Sequence, residues 1–192
     1  NYKIVFMGTP DFGIPSLNEL YKQGYEVEAV YTQPDRVNKR GNKVQFSAVK
    51  QFALEHDITI YQPNSLKDEK ELDVLRALNP DLIIVIAYGK ILPQAVLDIP
   101  KYGVINVHAS LLPKYRGAAP VQRSIIDGEE TTGVTIMQLD AGMDTGNIIA
   151  EKSVFITPHM TSEDLFDVLS NVGAKLLIDV LDDLPAKLAA SV

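Results

Sequence analysis

An α/β fold on a mostly parallel sheet is what this sequence predicts, and three observations predict it. Short apolar runs alternate with segments whose apolar residues recur at helical spacing, from the first residues onward. One run, Asp81-Leu82-Ile83-Ile84-Val85-Ile86-Ala87, is apolar without alternation, as a strand buried on both faces must be. The first run ends in Gly8-Thr9-Pro10 and a helical pattern follows at once, the signature of a strand turning into a helix.

Residues 2–7 read as the first strand. Ile14, Leu17, Leu20 and Tyr21 then keep helical spacing, with Pro15 near the start, where a helix tolerates it. The second strand covers residues 25–32. Residues 33–46 break the rhythm and read as a long polar loop, a feature that compact domains keep for function or leave disordered. A helix over 47–56, a brief strand at 58–61 and a helix over 68–78 follow, then the buried strand at 81–87. Residues 102–108 and 132–139 are two further strands, and 148–156 is another, nearer an edge. Leu165, Val168, Leu169, Val172, Leu176, Leu177, Val180, Leu181 and Leu184 line one amphipathic helix, expected to stop before Pro185. No repeat, low-complexity tract or linker interrupts the chain, so residues 1–192 read as one domain.

The chain has 192 residues, of which 46% are hydrophobic, enough to fill one sizeable core. Its formal charge of −7 argues against a surface that coats nucleic acid throughout, but leaves room for a local basic patch. With no cysteine there are no disulfides, thiolate metal sites or thiol nucleophiles, which fits a reducing cytoplasm. No apolar run reaches the roughly 18 residues of a membrane helix, and no basic-then-apolar leader opens the chain. The three histidines share no ligand spacing, so no metal is expected.

Parallel sheets bind ligands beyond the carboxyl ends of their strands. The chemistry is therefore sought just after Met7, Thr32, Ala87, His108 and Leu139. The turn Gly8-Thr9-Pro10-Asp11-Phe12-Gly13 is neither a dinucleotide loop nor a phosphate-binding P-loop, and Pro10 removes a donor such a loop would use. Asn106 and His108 lie two apart at a strand end, so both side chains project from one face. Asn offers a neutral donor to a developing oxyanion, and His exchanges a proton near neutral pH. An Asn in a turn beside a buried, backbone-bonded His explains such a pair as well. His56 reads as a solvated helix end, and His159 precedes a helix that Thr161 can cap. In Asp140-Ala141-Gly142-Met143-Asp144-Thr145-Gly146, two glycines permit a tight loop that can carry Asp144 back toward His108. As a bare pattern it is also an ordinary turn, as is Tyr88-Gly89-Lys90. Arg36, Lys39, Arg40 and Lys43 stand against one acid, Asp35, in the polar loop. They suit an anionic partner such as a nucleic-acid backbone, or simply solvate the loop.

Taken together and in this order, these residues resemble the methionyl-tRNA formyltransferases, from about Tyr2 to Leu184. The segments that carry the resemblance are Phe6-Met7-Gly8-Thr9-Pro10-Asp11-Phe12, Gln33-Pro34-Asp35-Arg36, Ala87-Tyr88-Gly89, the run from Asn106 to Pro120, Thr132 to Asp140, and Asp144-Thr145-Gly146. Asn-Val-His with Ser-Leu-Leu-Pro and the distal Asp mark the wider 10-formyltetrahydrofolate transferases. The opening turn and the Gln-Pro-Asp-Arg loop narrow the match to the tRNA-acting branch.

The resemblance implies a Rossmann-like, mostly parallel twisted sheet with helices on both faces. It implies formyl transfer from 10-formyltetrahydrofolate, a co-substrate, to the amino group of methionyl initiator tRNA, by a cytoplasmic monomer that needs no metal. Asn106, His108 and Asp144 align with the family's catalytic trio. Ser110, Leu111, Leu112 and Pro113 align with its folate segment. Ile86, Ala87, Tyr88, Gly89 and Ile91 on one strand end, with Asp140 to Asp144 on a loop, would wall the pterin. Arg36, Lys39, Arg40 and Lys43 fall in the loop that reaches toward the tRNA acceptor end. The loop reads Val37-Asn38-Lys39 where the family favours a Pro/Gly-rich step. Family members also carry a C-terminal β-barrel that helps hold the tRNA, and this chain is expected to stop short of it. The alternative is a sibling enzyme that formylates a small-molecule amine or hydrolyses the donor.

Overall fold

A computed structural model describes residues 2–37, 41, 43–110, 130–140 and 146–192. They form two compact units, residues 1–104 and 105–192.

In the first unit, β1 (Lys3–Gly8), β2 (Glu26–Tyr31), β5 (Thr59–Tyr61) and β6 (Leu82–Ile86) run parallel in the order β5-β2-β1-β6. Ile4 to Phe6 in β1 and Leu82 to Ile84 in β6 are fully buried, which is why neither strand alternates. Each such side chain stabilises the fold by roughly 1.5–3 kcal/mol. The Lys3 amide donates to the Asp81 carboxylate at 2.8 Å, fixing the register where β1 and β6 begin.

The helices of this unit start where the sequence supplies caps. Pro15 sits in the first turn of α1 (Ile14–Lys22), where its missing N–H costs nothing. The Ser47 hydroxyl accepts from the Lys50 amide to cap α2 (Ala48–Glu55), and it also bonds the Thr32 hydroxyl at 2.6 Å. Asp68 caps α3 (Glu69–Leu78), which ends on Asn79 in the left-handed region before Pro80. A short α4 (Gln94–Leu97) follows Pro93.

The polar segment at 33–46 was expected to be loop throughout, but its described residues include regular structure. It contains a two-stranded antiparallel ribbon, β3 (Arg36–Val37) against β4 (Val44–Gln45). Val37 and Val44 are direct cross-strand partners, and paired β-branched side chains favour this ribbon although both stay exposed.

In the second unit, β7 (Val104–His108) pairs antiparallel with β8 (Thr131–Gln138), and β8 pairs antiparallel with β9 (Ile148–Phe155). The long helix α5 (Ser162–Asp182) opens with a capping box, in which Thr161 and Asp164 each bond the other's backbone amide. It packs on this sheet. A Cβ placed on Gly173 would meet Val107 and Val134, so those side chains point toward the helix. The helix was expected to stop before Pro185, and it does, at Asp182. The chain then breaks at Asp183 and starts α6 (Leu184–Ala189), which takes Pro185 into its first turn.

Parallel strands in the first unit, antiparallel strands in the second and helices between them make the α/β class expected from the sequence. One expectation needs correction. The end of β8 does not lie beside the end of β7. The register pairs His108 with Thr135 and Ile105 with Gln138, so Leu139 leaves its strand next to the start of β7. A hairpin-type pairing reverses the direction of β8, and the carboxyl-end rule holds only among parallel strands.

Candidate active site

The β7 register fixes the face on which Asn106 and His108 lie. Val107 points at α5, so its two neighbours project from the opposite face of the strand. Both are almost wholly buried, with 6% and 7% exposure. Their cross-strand partners, Met137 and Thr135, lie on the same face. The Thr135 hydroxyl donates to the Ser110 carbonyl at 2.6 Å. That bond ties the turn leaving β7 to β8 at Ser110, itself fully buried. Thr135 was not singled out in the sequence. Its only signal was a hydroxyl among buried residues of a strand.

Asp140 is exposed where the chain leaves β8. Gly146 closes that loop from the other side. The Gln138 amide donates to the Asn147 carbonyl at 2.8 Å. Gly146 has φ +134°, and any Cβ there would collide with the Gln138 carbonyl oxygen. The base of the loop is thus pinched at Gly146, while Gly142 lies outside the described residues. Asp144, Leu111, Leu112 and Pro113 lie outside the described residues, as do Lys39 and Arg40.

In the first unit the candidate residues cluster on the turn after β6. Ile86 is fully buried and Tyr88 is 1% exposed, whereas Ala87, Gly89 and Ile91 face outward. Ala87 has φ +52° and Gly89 φ +80°, so two of three consecutive residues are left-handed. For Ala87 that costs on the order of 1–2 kcal/mol. The turn keeps this shape because its central carbonyl is doubly bonded. Tyr88 O accepts from Thr9 Oγ1 and from Gln33 Nε2, each at 3.0 Å.

Gly89 is required twice over, by its left-handed backbone and because a Cβ would strike Gln33 Nε2. Gly89→Ala is expected to lower unfolding stability by about 2 kcal/mol, from backbone strain and the displaced Gln33 amide. Urea unfolding of the full chain checks this, and an unchanged midpoint and slope would refute it.

Beneath the turn, the Tyr88 ring enters the core. Burial raises the Tyr88 phenol well above its ordinary range, and the Glu71 charge adds to the effect. Burial does the same to Tyr31, helped by Tyr61, Glu71 and Tyr88. Neither hydroxyl has a hydrogen-bond partner among the described residues, and both stay protonated. What the turn offers a ligand is therefore backbone and small side chains.

Of the basic loop residues, Arg36 and Lys43 are exposed, on the ribbon and just before its second strand. The acid of that loop is already matched. Lys50 holds Asp35 at 2.7 Å, and Gln62 donates to it at 2.8 Å. These two bonds keep the Asp35 carboxyl below its usual range. The ribbon's exposed cations are thus not offset by the neighbouring carboxylate. The other histidines are explained structurally. His56 caps α2, bonds the Phe52 carbonyl at 2.8 Å and stacks on the Phe52 ring. His159 is exposed before α5. Among the described residues no three His, Asp or Glu side chains converge as a metal site, and no helix is long and apolar enough to cross a membrane.

Residues 2–181 match the family described as "Formyl transferase". The chain is 56% identical over 177 residues to the methionyl-tRNA formyltransferase of Clostridium perfringens (strain SM101 / Type A), covering 92% of this chain and 57% of that protein. It therefore spans less than two thirds of the length of such curated relatives. Among solved structures it is similar to the phosphoribosylglycinamide formyltransferase of Streptococcus pneumoniae TIGR4. That likeness has TM-score 0.77 at 21% identity and covers 96% of this chain and 99% of the other. It is also similar to WlaRD, a sugar 3N-formyl transferase solved with dTDP and 5-N-formyl-THF. Here the TM-score is 0.70 at 23% identity, covering 99% of this chain and 64% of the other. At these identities the structural likeness speaks for the fold alone, the Rossmann-like α/β class.

Proposed function

The chain belongs to the formyl transferase family, and on that premise we propose that it moves the formyl group of 10-formyltetrahydrofolate to the amino group of methionyl initiator tRNA. The observation that carries the reaction class is the shared face of Asn106 and His108 on β7, turned away from α5. The acceptor rests on the name of a relative 56% identical and on the exposed Arg36 and Lys43.

The chemistry follows from those groups. The free amine attacks the formyl carbon, a C–N bond forms, and the carbonyl oxygen becomes an oxyanion. Asn106 donates a hydrogen bond to that oxyanion. The incoming nitrogen must lose a proton, and N10 of the folate must gain one as its bond to carbon breaks. One group that takes and returns a proton serves both halves, and His108 is that group. Tetrahydrofolate leaves and no redox step occurs. Asp144 is the third member of the trio, tuning His108 or relaying its proton through water. Gln138 precedes it by six residues, a reach of up to about 20 Å, enough to fold back over the Asn106–His108 face.

The resemblance is what assigns donor contacts to Ile86, Ala87, Tyr88, Gly89 and Ile91, and to Ser110, Leu111, Leu112, Pro113 and Asp140. Arg36, Lys39, Arg40 and Lys43 take the RNA backbone. We read the two units as one catalytic domain, since the family match runs through both. Its setting is the cytoplasm and its working form a monomer.

Formylation of charged initiator tRNA, assayed beside glycinamide ribonucleotide and a sugar-nucleotide amine at one salt concentration, tests the assignment. Transfer to the tRNA is expected. Transfer only to a small amine, or hydrolysis of the donor alone, would favour the sibling reading. Arg36→Ala and Lys43→Ala should each weaken tRNA use and flatten its log–log salt dependence by about one, as expected for one lost phosphate contact. An unchanged salt slope would remove that residue from the RNA contact.

A further inference from the structure

We propose that Gln33 is a positioning residue that locks the donor-side turn at Tyr88–Gly89 to the foot of the basic ribbon, so that the two substrates' subsites are held by one side chain. The inference rests on the function proposed above and extends it to a residue with no part in the chemistry.

Every polar group of Gln33 is engaged. Its backbone amide donates to Thr9 Oγ1 at 3.3 Å, and its carbonyl accepts from Gln62 Nε2 at 3.2 Å. Its side-chain Nε2 donates to the Tyr88 carbonyl at 3.0 Å, while Oε1 accepts from Arg36 Nη2 at 3.5 Å. Gln62 in turn bonds Asp35, and Lys50 bonds both Asp35 and Gln62. The backbone of Gln33 is therefore anchored to Thr9, just past β1, and to Gln62, just past β5, and only its side chain reaches the two functional segments. A side-chain amide is planar, so Oε1 and Nε2 cannot move independently. A shift of Arg36 on the ribbon is transmitted to the Tyr88 carbonyl, and the reverse holds by linkage.

The contact with the turn is also tight. Gln33 Nε2 lies against the one position of the turn that has no Cβ, Gly89. Thr9 holds the same carbonyl from the β1 side. Without Gln33 that carbonyl keeps one of its two donors. The left-handed backbone at Ala87 and Gly89 then loses half of what fixes it.

The test uses the full chain and 5-formyltetrahydrofolate, an analogue that does not enter transfer. Gln33→Leu should weaken its binding about tenfold, since a buried carbonyl loses a partner. Amide exchange of residues 87–90 should speed up in the same variant. Gln33→Glu separates positioning from general damage. It keeps an acceptor for Arg36 but has no donor for Tyr88, so donor affinity should fall as in Gln33→Leu while the tRNA KM rises less. If Gln33→Leu does not fold, Thr9→Val supplies the same loss from the other side and should weaken the analogue and speed exchange in turn. Wild-type affinity and wild-type exchange in folded Gln33→Leu or Gln33→Glu would overturn the proposal alone. If the wild-type chain binds no tetrahydrofolate at all, the folate reading fails and the positioning role fails with it.

Discussion

His108→Ala is expected to lower formyl transfer by about a hundredfold or more, because a positioned proton acceptor and donor contributes roughly 10² to 10⁴. The effect should fall on kcat, with the donor KM little changed, since the imidazole acts on the proton in flight and not on the bound pterin. The side chain is 7% exposed, so removing it also opens a cavity in β7. His108→Gln separates the two effects. It fills more of the space and can hydrogen-bond, yet it cannot take and return a proton. Both variants should be slow and both should fold, as read by single-turnover formylation and by urea unfolding. Fast transfer by folded His108→Gln would show that the proton moves by another route.

Asn106→Ala is expected to cost about a hundred- to a thousandfold in kcat, the usual loss when one donor to a developing oxyanion is removed. Asn106→Asp is the sharper variant. It is nearly isosteric, but it places an acceptor and a negative charge where the oxyanion forms, so it should be no faster than Asn106→Ala. A folded Asn106→Asp with near-normal turnover would exclude the oxyanion role. Residues that act in one step are not additive, so Asn106→Ala combined with His108→Ala should lose much less than the product of the two single losses.

Much of this was legible before any coordinates. Leu82 to Ile86 could only be a doubly covered strand, and it is one, with no position exposed beyond 8%. The long helix announced both of its ends, through the Thr161 cap and Pro185. Asn106 and His108 shared a face as soon as a strand was assigned, since period two does not depend on which partner the strand finds. Period two also could not say which face that was. Val107 against Gly173 on α5 decides it, and the two residues are far apart in sequence.

The direction of β8 was equally beyond local reading, because an apolar strand looks the same in either sense. The ribbon at Arg36–Val37 and Val44–Gln45 escaped notice because two-residue strands have no periodicity to detect. Nothing local marks Gln33, because its bonds reach 24 and 55 positions away.

By itself, then, the sequence determined the α/β class, the order of the main strands and helices, and the Thr161 cap and Pro185 stop of the long helix. Tertiary structure alone decided which way β8 runs, which face Asn106 and His108 present, and which side chains hold the Tyr88 turn. The division has one physical cause. Hydrophobic periodicity and capping are written among neighbours a few residues apart, where burial and backbone satisfaction are local demands. A hydrogen bond such as Gln33 to Tyr88 is a demand of one buried carbonyl, and any donor that the fold brings near can meet it.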